Sequence, residues 1–132
     1  MNRIRYSSDT PWEDSVCYSR AVRVGPHVFV SGTTASDEQG ATQCVGDAYG
    51  QARFIFEKIG ASLKAAGADL HDVTRTRMYV TDISRWEEIG RAHAEAFHDV
   101  GPAATMVEVQ CLINPDHLVE IEVDAIIAST AT

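Results

Sequence analysis

The stretch LVEIEVDAII, from Leu118 to Ile127, constrains the fold most strongly because apolar and acidic residues alternate along it. A period of two predicts a β-strand with one apolar and one acidic face. Carboxylates are costly to bury without partners, so the acidic face is either open to water or covered by groups that pair with it. The apolar side consists of Val119, Ile121, Val123, Ala125 and Ile127, and the other side of Glu120, Glu122, Asp124 and Ile126.

The size and charge of the chain limit the functions it can have. With 132 residues, 45% of them hydrophobic, it is expected to form a single domain over residues 1–132 with one core. Its net charge of −8 repels phosphate backbones, and its Lys and Arg residues are scattered rather than clustered. We therefore expect no nucleic-acid partner.

The cysteines and the apolar runs indicate the compartment. Cys17, Cys44 and Cys111 are odd in number and show no C-x-x-C spacing, which argues against a disulfide framework and against a zinc site. No glycine-rich phosphate loop leads from a strand into a helix, so we predict neither a metal nor a cofactor. No secretory signal or membrane-length apolar run is present, and we expect a cytoplasmic protein without a membrane partner.

The first half of the chain predicts a hairpin followed by a helix. Two β-rich segments, Tyr18–Val24 and His27–Gly32, flank a Gly-Pro turn, and the loop after them holds at most a weak strand. A helix is predicted from Ala48 to Ala66, with Asp47 as its N-cap and Gly67 after its end. Its apolar stripe consists of Ala52, Ile55, Phe56, Ile59, Leu63 and Ala66.

The second half predicts a strand, a second helix and two final strands. A strand at 72–82 precedes a helix that begins at Ser84, where SRWE is a capping box with Glu87. The last strands are Ala104–Leu112 and the LVEIEVDAII stretch. Two helices of this length cover one face of a single sheet, which is an α+β domain with two layers. The inner side of the second helix is predicted to be Trp86, Ile89, His93, Ala96, Phe97 and Val100.

Strand parity predicts the two faces of the sheet. On the strand after the second helix, the more apolar parity of Thr105, Val107, Val109 and Cys111 is expected to face the helices, with Cys111 in the core. The opposite face then has mixed charge, and it is either exposed to water or a polar subunit interface. It collects Arg75, Arg77, Tyr79, Glu108, Gln110, Glu120, Glu122 and Asp124.

Five segments together resemble the Rid family, the YjgF-like imine and enamine deaminases that are also described as endoribonuclease L-PSP. They occur in the family's order and span nearly the whole chain: YSRAVRVGPHVFVSGT, LKAAGADLHDV, RMYVTD, PAATMVEV and LVEIEVDAI. The resemblance implies a chorismate-mutase-like fold, a single mixed sheet with two helices packed on one face. It also implies a homotrimer with small-molecule sites in the clefts between subunits, so that neighbouring subunits cover the acidic face.

The resemblance also implies roles for individual residues. Hydrolysis of an imine needs a carboxylate and backbone groups that position water at the C=N carbon. Glu120 matches the family's water-handling carboxylate, and Tyr18 matches its tyrosine. The family's SG-type backbone segment corresponds to Ser31, Gly32 and Thr33.

The chain departs from the family pattern at the substrate clamp. Ala104, followed by Thr105, stands where the family has an arginine that holds the substrate carboxylate. Gly90 stands where the family has an asparagine. The resemblance therefore implies a substrate other than a simple 2-imino acid.

Several side chains keep two interpretations. Arg77 either replaces the missing clamp or pairs with Glu108 or Glu122 across the sheet. His93 either binds a ligand or is a hydrogen-bonded packing residue. The N-terminal segment with Trp12 and Glu13 either folds over the cleft or packs in an ordinary way, and Cys17 precedes the cleft tyrosine.

Three functions compete at this point. The first is a Rid-like small-molecule hydrolase or deaminase, and the second is a non-catalytic homotrimer that binds or senses a small metabolite. The third, ribonuclease activity, is disfavoured because an RNA-cleaving surface needs a basic ground that a chain of net charge −8 does not offer.

Overall fold

A computed structural model describes residues 2–128, and within them six strands and three α-helices form. The strands are β1 Arg3–Tyr6, β2 Ala21–Val24, β3 His27–Thr33, β4 Val73–Val80, β5 Ala103–Glu108 and β6 Val119–Ile126. The α-helices are α1 Pro11–Val16, α2 Ala48–Ala65 and α3 Trp86–Ala96. The strand β1 and the short helix α1 were not predicted, and the weak strand after β3 is a single bridge between Ser36 and Thr42.

The six strands form one mixed sheet in the order β1-β2-β3-β6-β4-β5. β4 and β5 are parallel and are connected through α3, whereas the other neighbouring strands are antiparallel. β6 therefore lies between β3 and β4, with a partner on each side. This confirms the predicted single mixed sheet of an α+β domain.

The helices bury one face of this sheet. Along α2, the six residues of the predicted stripe are all buried, together with Val28 and Val30 of β3 and the apolar parity of β6. Each of the larger side chains, Val, Ile, Leu and Phe, contributes about 1.5–3 kcal/mol when it is removed from water. The predicted ends of α2 are confirmed, because Asp47 accepts a hydrogen bond from the Gly50 amide at 2.9 Å and Gly67 has a φ of +87°.

The predicted start of the second helix is wrong. Asp82 caps a 3₁₀ turn at Ile83–Arg85 by accepting a hydrogen bond from the Ser84 amide at 3.0 Å, and no Ser84–Glu87 capping box forms. Trp86 is 54% exposed, and Ala92 is buried on this helix in its place. Asp82, two residues before the predicted start, is the better acceptor for the free amides, so the helical turn begins there.

The predicted faces of β5 are also wrong. Its register places Thr105 beside Arg77 and Val107 beside Tyr79, on the face away from the helices. The strand ends at Glu108, so Cys111 lies in the following loop and is exposed. β5 is an edge strand with little burial. Its hydrogen bonds to β4 therefore determine which side chains face the helices, and the more apolar set need not be the one on that side.

Candidate active site on the open face

The face of the sheet away from the helices carries the acidic parity of β6. Arg77 Nη1 contacts Asp124 Oδ2 at 3.2 Å, and the Tyr79 hydroxyl donates a hydrogen bond to Glu122. Arg77 therefore pairs with Asp124 rather than with Glu108 or Glu122. Two of the three acids of β6 are thus bound by side chains of β4, Asp124 in an ion pair and Glu122 through a hydrogen bond.

Glu120 differs from the other two acids. Its side chain is half-buried, and its carboxyl group accepts no hydrogen bond and makes no ion pair within 4.0 Å among the described residues. Burial raises the pKa of Glu120 and Glu122 raises it further, whereas the charge of Arg20 lowers it. A partly desolvated carboxyl with free acceptor sites is suited to hold a water molecule or a ligand hydrogen.

The carboxyl group of Glu120 packs against Gly32. A Cβ built on this glycine would lie 3.1 Å from Cδ and 3.3 Å from Cγ of Glu120, and closer still to Oε2. The pairing of β3 with β6 shifts register between Val30 and Thr33, as at a β-bulge. The glycine and the irregularity together make room for the carboxyl group at the backbone of β3.

The segment Ser31–Thr33 is held in place by its own hydrogen bonds. The Ser31 hydroxyl donates to the Ser19 carbonyl at 2.7 Å, and the buried Thr33 hydroxyl donates to the Ser31 carbonyl at 2.8 Å. On the helix side, Lys58 Nζ donates to the carbonyls of Thr34 and Ser36, each at 2.8 Å. The backbone beside Glu120 is therefore fixed from both layers.

Arg20 is the residue of this site that the sequence interpretation missed. Its Nη2 donates to the Gly32 carbonyl at 2.6 Å, and its buried Nε has no partner among the described residues. Burial lowers the pKa of Arg20, while the charges of Tyr18, Glu13 and Glu120 raise it. A glycine inside a strand often marks a close approach of another group, and that signal at Gly32 could have directed attention to the strands beside it.

Tyr18 borders a cavity of about 320 Å³ beneath the N-terminal segment. Glu13 is buried there and accepts hydrogen bonds from the Ser8 amide and from the Thr10 hydroxyl at 3.1 Å. Trp12 is 65% exposed and does not pack over the site. The cavity is lined by Arg5, Tyr6, Ser7, Glu13, Asp14, Cys17, Tyr18 and Ser19.

The structure does not bring His93 to Glu120. His93 lies on the helix side of the sheet, with Nε2 2.9 Å from the Thr76 hydroxyl and its ring between Phe56 and Phe97. Burial lowers its pKa. These contacts are those of a hydrogen-bonded packing residue.

Ala104 and Thr105 are separated by the pleat of β5. Ala104 pairs with Thr76, whose side chain faces the helices, whereas Thr105 pairs with Arg77 on the open face. Both residues are exposed in the single chain. Neither contributes a charged group to the neighbourhood of Glu120.

Residues 2–128 contain neither a metal-binding cluster of His, Cys, Asp and Glu side chains nor a helix that could span a membrane. No group of three or more His, Cys, Asp or Glu side chains in this range is arranged to hold a metal ion. Within the same range, the helices are too short or too polar to cross a bilayer. The chemistry available on the open face is that of carboxylates, arginines, tyrosines and backbone groups.

Comparison with known proteins identifies the class of protein that this sheet and open face define. A family model described as Endoribonuclease L-PSP matches residues 12–127. The chain belongs to this family, which includes the YjgF, RutC and Rid proteins.

Two relatives represent the similarity. The chain is 36% identical over 104 residues to the 3-aminoacrylate deaminase RutC of Acinetobacter baylyi, covering 79% of this chain and 82% of that protein. A crystal structure of a YjgF/YER057c/UK114 family member from Mycobacterium tuberculosis is 49% identical, with a TM-score of 0.87, and the match covers 96% of this chain and 100% of the other.

A third structure carries the Rid name. RidA from an Antarctic Psychrobacter is 28% identical, with a TM-score of 0.78, over 93% of this chain and 94% of that one. The fold is therefore shared across the family at identities from 28% to 49%.

Proposed function

We propose that this protein is a Rid-type hydrolase that deaminates a small imine or enamine in clefts between the subunits of a homotrimer. Glu120 positions the attacking water in this proposal. The observation that carries it is the half-buried carboxyl of Glu120, which has free acceptor sites and a pKa raised by burial. The similarity to a protein named as a 3-aminoacrylate deaminase supports the same chemistry.

The proposed reaction consumes one water and releases ammonia. An enamine first takes a proton on carbon and becomes an iminium ion. Water adds to the C=N carbon while Glu120 accepts one of its protons, and this proton then returns to the nitrogen. The C–N bond breaks and ammonia leaves while the added hydroxyl group releases its proton, which offsets the proton taken up on carbon, and a carbonyl compound remains.

The open face supports the location between subunits. Phe29 of β3 and Val107 of β5 are 46% and 43% exposed on this face, which also carries the Arg77–Asp124 ion pair and the Tyr79–Glu122 hydrogen bond. Exposed aromatic and aliphatic side chains among paired charges are typical of a subunit interface. A covering subunit would exclude bulk water from Glu120 and strengthen its electrostatic interactions.

Ala104 supports a substrate that is not a simple 2-imino acid. Its methyl group cannot bind a carboxylate, and its β5 neighbour on the open face is the neutral Thr105. The same lack of a clamp favours a second candidate function, a homotrimer that binds a small metabolite without converting it. The two candidates differ in whether ammonia is released.

The test is ammonia release from a panel of imines and enamines that are generated in situ from amino acids. Glu120→Gln should lower the rate by about 10²–10⁴-fold, because general-base assistance is worth that much. Glu122→Gln is the matched control on the same strand and face, and it should stay close to wild type. Full activity of Glu120→Gln would refute the hydrolytic role, and ligand binding without turnover by the wild type would favour the metabolite-binding homotrimer.

A further inference from the structure

Two groups of opposite charge meet at Gly32. The guanidinium group of Arg20 donates to the carbonyl of this residue at 2.6 Å, and the carboxyl group of Glu120 packs against its Cα. Both charged groups are partly removed from water, and both are oriented by the same peptide of β3. We call these three residues the Gly32 unit.

Arg20 has unused capacity in this unit. A guanidinium group has five N–H donors, but among the described residues Arg20 uses one of them, from Nη2 to the Gly32 carbonyl. Its Nε is buried without a partner in this part of the chain, and no carboxylate of residues 2–128 lies within 4.0 Å of it. A desolvated cation is costly unless negative charge compensates it. Burial lowers the pKa of Arg20, and the carboxylates of Glu13 and Glu120, which lie beyond ion-pair distance, supply that compensation and raise it.

The other charges near Glu120 are already engaged or are negative. Glu122 accepts from Tyr79, the residue opposite Glu120 on β4, and Arg77 is paired with Asp124. On the helix side, Lys58 is bound to two carbonyls. On the N-terminal side, Glu13 and Tyr18 face Arg20. Among residues 2–128, Arg20 is therefore the cation that acts on Glu120, in line with the direction in which it moves the pKa of that group.

We infer that Arg20 is a positioning residue that favours the ionised form of the Glu120 carboxyl group, with Gly32 holding the two groups in register. The consequence for hydrolysis rests on the proposed function, whereas the electrostatic coupling of the two residues does not. The competing explanation is that Arg20 only ties Gly32 to the start of β2. A purely structural tie would leave the titration of Glu120 unchanged.

The coupling is measured by the carboxyl ¹³C chemical shift of Glu120 as a function of pH, in the full chain with labelled glutamate. The resonance is assigned by its absence in Glu120→Gln. Arg20→Gln should move the midpoint upward by about one pH unit, because an opposite charge nearby favours the ionised carboxyl. Arg77→Gln removes the same charge from the same face and should leave the midpoint in place, and Arg20→Lys should keep it near the wild-type value.

A measurement on the wild type decides the matter if Arg20→Gln does not fold. The Nε–H resonance of Arg20 should shift with the same midpoint as the Glu120 carboxyl carbon, and this step should vanish in Glu120→Gln. An unchanged Glu120 midpoint in folded Arg20→Gln, or an Arg20 resonance that ignores the Glu120 titration, overturns the inference.

Activity separates this inference from the proposed function. If a panel substrate is hydrolysed, the acidic limb of its kcat/KM profile in Arg20→Gln should move with the ¹³C midpoint. If the titrations of Arg20 and Glu120 are coupled but no substrate is hydrolysed, the inference about the Gly32 unit is supported and only the enzymatic role is rejected. Hydrolysis with an unmoved acidic limb would reject the role of Arg20 and retain that of Glu120.

Discussion

The carboxyl group of Glu120 packs directly on the backbone of Gly32. Any side chain at position 32 would overlap this carboxyl group and force it to move. We expect Gly32→Ala to displace Glu120 and to reduce hydrolysis by about 10²-fold or more. Overpacking at this site should also lower the free energy of unfolding by about 1–3 kcal/mol. Ammonia release and urea denaturation measure the two effects.

Gly60→Ala is the control for this change. Gly60 lies inside α2, and a Cβ there would meet no atom of the described residues closer than 3.8 Å, in Leu70. An alanine in a helix interior should raise the free energy of unfolding by about 0.5–1 kcal/mol. If Gly32→Ala behaved like Gly60→Ala in both assays, the contact with Glu120 would have no functional weight.

The protein is expected to sediment as a homotrimer at micromolar concentration. Phe29→Lys places a charge on the exposed part of the open face and should dissociate the trimer, because a buried unpaired charge is costly at an interface. Val45→Lys, at a 63% exposed position in the loop before α2, should leave the assembly intact. A wild-type monomer would contradict both the trimer and the composite site.

The imine that dehydratases form from serine should be a poor substrate. The loss of a charge-assisted hydrogen bond to the carboxylate at position 104 should lower kcat/KM by about 10- to 100-fold relative to an arginine-containing relative. A coupled dehydratase assay compares the two proteins directly. Comparable turnover would mean that another cation, Arg20 or Arg77, binds the carboxylate instead. Ala104→Arg alone is not expected to restore activity, because Gly90 also stands where the family has an asparagine.

His93 should make the folded state sensitive to mild acid. Burial holds its pKa below the ordinary 6.5, so below pH 6.5 the unfolded chain binds more protons than the folded one. The contribution of neutral His93 is complete above pH 6.5 and is lost as the pH falls toward the lowered pKa. The difference in unfolding free energy between wild type and His93→Gln should therefore shrink on acidification.

The periodicity of apolar residues in the sequence correctly predicted the strand and the helix that bury one face only. The alternation along β6 and the stripe of α2 correspond to what the structure buries, because each element has one face against the core and the other away from it. The caps of α2 were predictable for the same reason, since Asp47 and Gly67 act on the backbone next to them.

Contacts between distant segments were beyond this reasoning. The register of β5 with β4 determines which face each β5 side chain occupies. Because this edge strand is little buried, apolar residues such as Val107 do not mark the face that is turned to the core. Arg20 reaches Gly32 only because β2 and β3 pair and β3 shifts its register. The position of Glu120 in the sequence indicated a polar face, but its contact with the glycine depended on the pairing of β3 with β6.

The central position of β6 bears on how the molecule assembles. Until this strand inserts between β3 and β4, the chain can form only two separate ribbons, β1-β2-β3 and β4-β5, each with an unpaired inner edge. Insertion closes contacts between residues that are far apart along the chain, which are slow to form. The same step places Glu120 against Gly32, so a chain in which β6 has not yet inserted lacks the half-buried setting of this carboxyl group.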